Sequence, residues 1–245
     1  MGKLAAGALV DALRATILDG GLRPGTRLDE TRLGAQFEVS RNTLREAFRV
    51  LAHEHLVEHL PNRGVFVRRP SVREARDVYE TRRLLECGAL REAAVRRAAW
   101  CGEPDPDGST RERHLQHHWE TSVLAVVESA ERGWRASESG DWDEVGSANG
   151  QFHLALATLA DNDVILRTLR SLVTEMRLLF LVVAAAREVH EPYLEDNRRI
   201  ASLVASGELV RAAILLEDYL LRAERHLVGL YATHTLDGRA VEPRS

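Results

Sequence analysis

The stretch from Leu28 to Val67 limits what this 245-residue chain can fold into more than any other. Leu33, Phe37, Val39, Leu44, Phe48 and Leu51 form an apolar skeleton at helical spacing, interrupted by a tight turn. The second of the two helices starts after Ser40, a good N-cap residue. It leaves Arg41, Asn42, Thr43, Arg45 and Arg49 on its outer side. Two short helices at a turn, the second lined with Arg, Asn and Thr, make the helix-turn-helix plan, in which the second helix enters the DNA major groove. Leu56 to Leu60 and Val65 to Arg68 then read as a β-hairpin turned by Pro61-Asn62-Arg63-Gly64, and this hairpin is a wing.

Charge follows the same division. Residues 1–70 hold 11 Lys+Arg against 8 Asp+Glu, whereas the remainder holds 22 against 29. A basic head on an acidic body fits a DNA-binding unit joined to one that does not bind DNA. Arg41 and Arg45 are four apart on one helix face, and each offers a bidentate fork to guanine O6 and N7. Arg63 in the wing is placed for phosphate or the minor groove.

N-terminal to this stretch, Leu4 to Leu18 reads as a helix with Leu9, Leu13 and Ile17 in register, and Thr26 to Leu28 reads as a short strand able to pair with the wing. Pro70-Ser71 ends the head, with Ser71 as a cap for the next helix. From Val72 onward the pattern is helical throughout. Helices are expected over Val72–Ala99, Arg111–Arg135, Gly140–Leu159, Val164–Val189, Leu194–Ala205 and Leu209–Tyr231. The fold class is mainly α: a winged head at 1–70, an all-helical domain of six or seven helices at 71–235, and a frayed tail at 236–245.

The quoted residues carry a resemblance. Pro24-Gly25-Thr26, Leu33, Val39-Ser40-Arg41, Leu44-Arg45-Glu46-Ala47, Leu56-Val57 and Asn62-Arg63-Gly64-Val65 resemble the winged helix of the GntR family of bacterial transcription regulators. Glu80 to Glu86, Ala148 to Leu156 and Gly207 to Ala213 resemble the FCD-type effector domain of its FadR subgroup. The resemblance implies a DNA-contacting set of Thr31, Ser40, Arg41, Asn42, Thr43, Arg45, Arg49, Asn62, Arg63 and Gly64. It implies a homodimer reading a palindromic operator, and a small polar or acidic effector, a carboxylate among the candidates. Repression relieved by that effector is the leading expectation. An effector-independent regulator is the alternative.

For the effector pocket, the resemblance points to Asn149, His153, Asn197 and Tyr219, with Arg82 or Arg83 available to an acidic group. In metal-binding relatives the matching positions hold three histidines and an acidic residue. Only His153 remains here, so no metal or other cofactor is expected. His114, His117 and His118 stand together on a charged segment without a companion acid, the pattern of a solvated face. His153 and Tyr219 as acid–base residues of an enzyme lack any nucleophile motif, phosphate loop or cofactor fingerprint beside them.

The longest apolar run, Leu178 to Ala186, falls short of the roughly 18 residues that a membrane span needs. The N-terminus reads as an amphipathic helix and not as a leader. Cys87 and Cys101 form no spaced pattern, which fits buried thiols in a reducing cytoplasm.

Overall fold

In the computed structural model, the structure describes residues 6–100, 110–183 and 185–236. These form two compact units. One runs to Glu74 and includes a later segment that starts at Thr174; the other comprises Ala75–Val173 and the chain from Ala185 on.

The first unit holds α1 (Ala6–Leu18), β1 (Arg27–Leu28), α2 (Glu30–Gln36), α3 (Arg41–His53), β2 (Val57–Leu60) and β3 (Gly64–Val67). Leu9, Leu13 and Ile17 of α1 are wholly buried, as are Leu44 and Leu51 of α3, and Leu33 of α2 is nearly so. Burial of that apolar stripe stabilises the helices far more than their own propensities do. Phe37 and Val39 pack at its edge, half-buried. Each short helix has a side-chain cap. Asp29 accepts from the backbone N–H of Thr31 and Arg32, both at 2.8 Å, and Ser40 accepts from that of Thr43 at 3.2 Å. Between α2 and α3 the chain turns through Glu38 at φ 53°.

The strands form one antiparallel sheet in the order β1-β3-β2, with Leu28 opposite Val65 and Glu58 opposite Phe66. At the wing tip Arg63 N–H donates to Leu60 C=O at 3.0 Å. Gly64 follows at φ 104°, a value that an L side chain rarely adopts.

The later segment of this unit comes from α7 (Asp163–Val183), expected as part of the helical domain. Its Leu178 is fully buried in the head's core. Arg177 Nε donates to Leu18 C=O at 3.0 Å, and Glu175 pairs with Arg68 at 3.2 Å.

The second unit holds α4 (Val72–Trp100), which begins just before it, then α5 (Thr110–Ser139), α6 (Trp142–Thr158), α8 (Ala186–His190), α9 (Leu194–Ala205) and α10 (Leu209–Leu236). A 3-10 turn, Glu191–Tyr193, carries Pro192. The single helix expected over Val164–Val189 is two, α7 and α8, and Ala185 lies outside helical geometry at φ −123°, ψ 59°. Phe152 and Leu156 of α6, Leu90 of α4 and Ile200 of α9 are wholly buried. Cys87 is buried too, and burial pushes its thiol up to about 12, so it stays protonated. The expectations for Cys101 and for the tail beyond Leu236 fall outside the described residues.

Candidate functional site

The exposed face of the first unit is built on α3. Its apolar stripe fixes the helix inward, which leaves Arg41, Asn42, Arg45 and Arg49 exposed on the opposite side. Thr43 is half-buried, and its hydroxyl lies 2.9 Å from that of Ser40, so both hydroxyls serve the helix cap. Thr31 is exposed at the start of α2. At the wing tip Asn62 and Arg63 are exposed, and the Arg63 guanidinium sits 5.6 Å from the Phe66 ring centroid. Glu30 of α2 reaches Arg45 Nε at 3.4 Å. Between α3 and the sheet lies a groove of about 460 Å³, lined by Glu30, Arg45, Phe48, Arg49 and His59 among others. Glu30 and His59 were missed in the sequence, where neither carries a motif signal of its own.

The interior of the second unit holds a continuous polar chain. Arg82 Nε donates to Glu86 Oε1 at 2.7 Å, and Glu86 Oε2 lies 2.7 Å from His153 Nδ1. His153 Nε2 lies 3.2 Å from the Tyr219 hydroxyl. That hydroxyl is 3.3 Å from Asn149 Oδ1, which also accepts from Asn197 Nδ2 at 3.0 Å. Four helices supply these side chains: α4, α6, α9 and α10. Asn149, His153, Asn197, Tyr219 and Arg82 are thus brought together, whereas Arg83 is half-buried on the same helix as Arg82 and outside that chain of contacts. Arg82 and Glu86 form a buried pair and not a surface one.

The first of the two matched family models is that of the bacterial regulatory proteins of the gntR family, over residues 5–67; the second is the FCD domain, over 111–222. The HTH-type transcriptional regulator BphR of Paraburkholderia xenovorans is 32% identical over 215 residues, 84% of this chain and 81% of its own. The chain belongs to the GntR family of bacterial transcription regulators. A GntR regulator of known structure from Rhodococcus sp. RHA1 is 35% identical, with a TM-score of 0.76 over 91% of this chain and 97% of its own. The transcriptional repressor RspR of Escherichia coli is 38% identical over 82 residues, 34% of this chain and 36% of its own. Both matched domains and these relatives are those of regulators and not of enzymes. This GntR protein is therefore a DNA-binding regulator with an FCD effector-binding domain.

The electrostatics of its FCD interior follow from burial. Desolvation opposes a charge on Glu86, yet the Arg82 guanidinium and the His153 imidazole hold its carboxyl below the ordinary value. Burial holds the His153 imidazole below its own ordinary value, against the pull of Glu86. His153 is therefore neutral beside a carboxylate: Nδ1–H donates to Glu86, and Nε2 is left as an acceptor that competes with Asn149 Oδ1 for the single proton of the Tyr219 hydroxyl. Burial also raises the Tyr219 phenol well above its usual range, so it stays protonated.

This donor set does not fit a transition metal. It offers one imidazole already engaged at both nitrogens, two amides and a protonated phenol. Among the described residues no group of three or more His, Cys, Asp and Glu is arranged to hold a metal ion. His114 and His117 are exposed, and His118 turns away to the Thr158 carbonyl at 2.9 Å. Tyr193 and His226 extend the polar region, with the Tyr193 hydroxyl 3.2 Å from His226 Nδ1 and its ring edge-on to Tyr219 at 5.0 Å. Sequence reasoning gave Tyr193 no part, and it gave His226 no matched role beyond that of a histidine which, like His190, a one-turn shift in alignment brings to the metal positions. Among the described residues, no helix is long and apolar enough to cross a membrane.

Proposed function

We propose that this regulator is a homodimeric repressor that binds a palindromic operator and is released from it by a small polar or acidic metabolite. The observation that carries this reading is the pairing of an exposed Arg-rich recognition helix with a second unit whose apolar core encloses a polar cluster. Arg41 and Arg45 contact base edges. Ser40, Asn42, Thr43, Arg49, Thr31 and the wing residues Asn62, Arg63 and Gly64 hold the backbone or reach neighbouring bases. Asn149, His153, Asn197, Tyr219 and Arg82 line the effector site. Repression is the role that RspR's name gives to a protein matched over 82 residues.

Support for the dimer comes from the surface of the second unit. Of the eight large hydrophobics exposed among the described residues, five lie on two helices: Leu84 and Val95 on α4, and Val210, Ile214 and Leu221 on α10. Arg91 of α4 and Glu217 of α10 pair at 2.8 Å, so this apolar stripe carries a charge pair that neutralises itself. Gly88 lies in the same row of α4, and nothing stands within 4 Å of where its Cβ would be. A second copy related by two-fold symmetry meets an apolar surface with no net charge to repel it.

The test is fluorescence anisotropy on duplexes recovered by selection from genomic fragments. The full palindrome should bind more tightly than one half-site, and a small-molecule fraction of the cell extract should weaken that binding. Equal affinity for random duplex at the same salt would overturn the reading.

A further inference from the structure

Successive side chains of a strand point to opposite faces, so the buried Leu28 sets its neighbour Arg27 outward, where it is exposed. Arg27 of β1 stands opposite Phe66 of β3, and Glu58 of β2 stands opposite Phe66 on the other side. The outer face of the sheet therefore carries one row across its strands, with the half-buried Phe66 between a cation and an anion.

Arg27 runs along β3 to the wing tip. A Cβ placed on Gly64 would stand 3.4 Å from Arg27 Nε and 3.7 Å from Nη2. Arg63 reaches the same place from the turn, with its guanidinium over the Phe66 ring. Other arginines of the head are matched by carboxylates: Arg14 by Glu54, Arg45 by Glu30 and Arg68 by Glu175. Among the described residues, Arg27 and Arg63 form no such ion pair. Asp29 is two residues from Arg27, but its Oδ1 accepts from the backbone N–H of Thr31 and Arg32. Two like charges gathered at one hairpin tip repel each other unless an anion comes to them.

We infer that Arg27 is a further DNA-contacting residue, whose guanidinium binds a backbone phosphate of the operator beside the wing tip. The inference rests on the reading of the wing as a DNA contact, and it adds to that contact a residue from a third strand. A guanidinium meets phosphate in two parallel N–H···O bonds. The partner is backbone and not base because Arg27 starts behind the tip, opposite Phe66, and phosphates are the outermost groups of the duplex. Such a contact positions the head and carries no sequence information. An acidic protein laid on the sheet face would meet Glu58 in the same row, whereas a phosphate at the tip stays clear of it.

The experiment titrates the full chain with operator and random duplexes across a salt series. Each phosphate contact contributes about 0.9 to the slope of log K against log salt concentration. Arg27→Gln should lower the slope by about that amount and weaken binding to both duplexes by the same factor. Arg27→Lys restores the charge and should restore the slope. Arg69 is exposed just past the other end of β3, so Arg69→Gln removes the same charge away from the tip and should leave the slope unchanged. Four results would overturn the inference: Arg27→Gln keeps the parent slope, Arg27→Lys fails to restore it, Arg69→Gln lowers it equally, or the loss is confined to the operator. Arg63→Gln tests the wing itself. A lower slope in Arg63→Gln with none in Arg27→Gln removes Arg27 alone; parent behaviour in both removes the wing from the DNA contact as well.

Discussion

His153 Nδ1 stands 2.7 Å from Glu86 Oε2 across 67 positions of sequence, and neither residue is more than 1% exposed. The contact sets the imidazole tautomer, and through it the direction of the hydrogen bond to Tyr219.

Stability should therefore fall on acidification in a defined window. His153 is held below its ordinary 6.5, mainly by burial. Over that range the unfolded chain binds more protons than the folded one, so stability rises with pH. The contribution is complete above 6.5 and is lost as pH falls towards the folded value. Glu86 acts in the same sense lower down. Its pKa lies below the ordinary 4.5, and its contribution goes as pH falls below 4.5 through the folded value. Melting temperature followed by circular dichroism should decline from about pH 6.5 downward. His153→Gln should melt lower at neutral pH and lose slope between 6.5 and 4.5; a variant with an undiminished slope would show that His153 is not the group responsible.

Arg41→Ala and Arg45→Ala should each cost about 1–3 kcal/mol on the operator while changing binding to random duplex much less. Binding titrations on both duplexes at one salt concentration measure the difference. Specificity retained in both variants would remove α3 as the reading helix.

Ile214→Arg places a charge in the middle of the exposed apolar stripe. Loss of one buried aliphatic side chain alone is worth about 1.5–3 kcal/mol, so the dimer dissociation constant should rise at least tenfold. Sedimentation velocity across a concentration series reads this directly. Val164→Arg, an exposed apolar position on α7 and on neither helix of that stripe, should leave the association unchanged. Equal effects from the two would mean that the stripe is not the interface.

Much of the head was legible in the sequence because its signals are short-range. Asp29 and Ser40 cap helices within three residues of themselves, and the Asn62-Arg63-Gly64 turn closes within four. The periodic stripe of Leu44, Phe48 and Leu51 specifies which face of α3 is buried, and so which face is left to Arg41, Arg45 and Arg49. In the helical unit, the same periodicity announced the helices. It did not announce the break between α7 and α8, which no proline or glycine marks. Nor did it assign part of α7 to the head, where Leu178 is buried.

The effector-site residues were named through resemblance, but their partners were not. Amino-acid order alone determined that Arg82 and Glu86 share a helix face, because they are one turn apart. Only the packing of four helices decided that this face is buried, that Glu86 meets His153 and not solvent, and that Arg82 keeps one nitrogen without a partner among the described residues. The reason is physical: a cap or a turn is closed by neighbours along the chain, whereas a buried charge is defined by whatever distant segments exclude water from it.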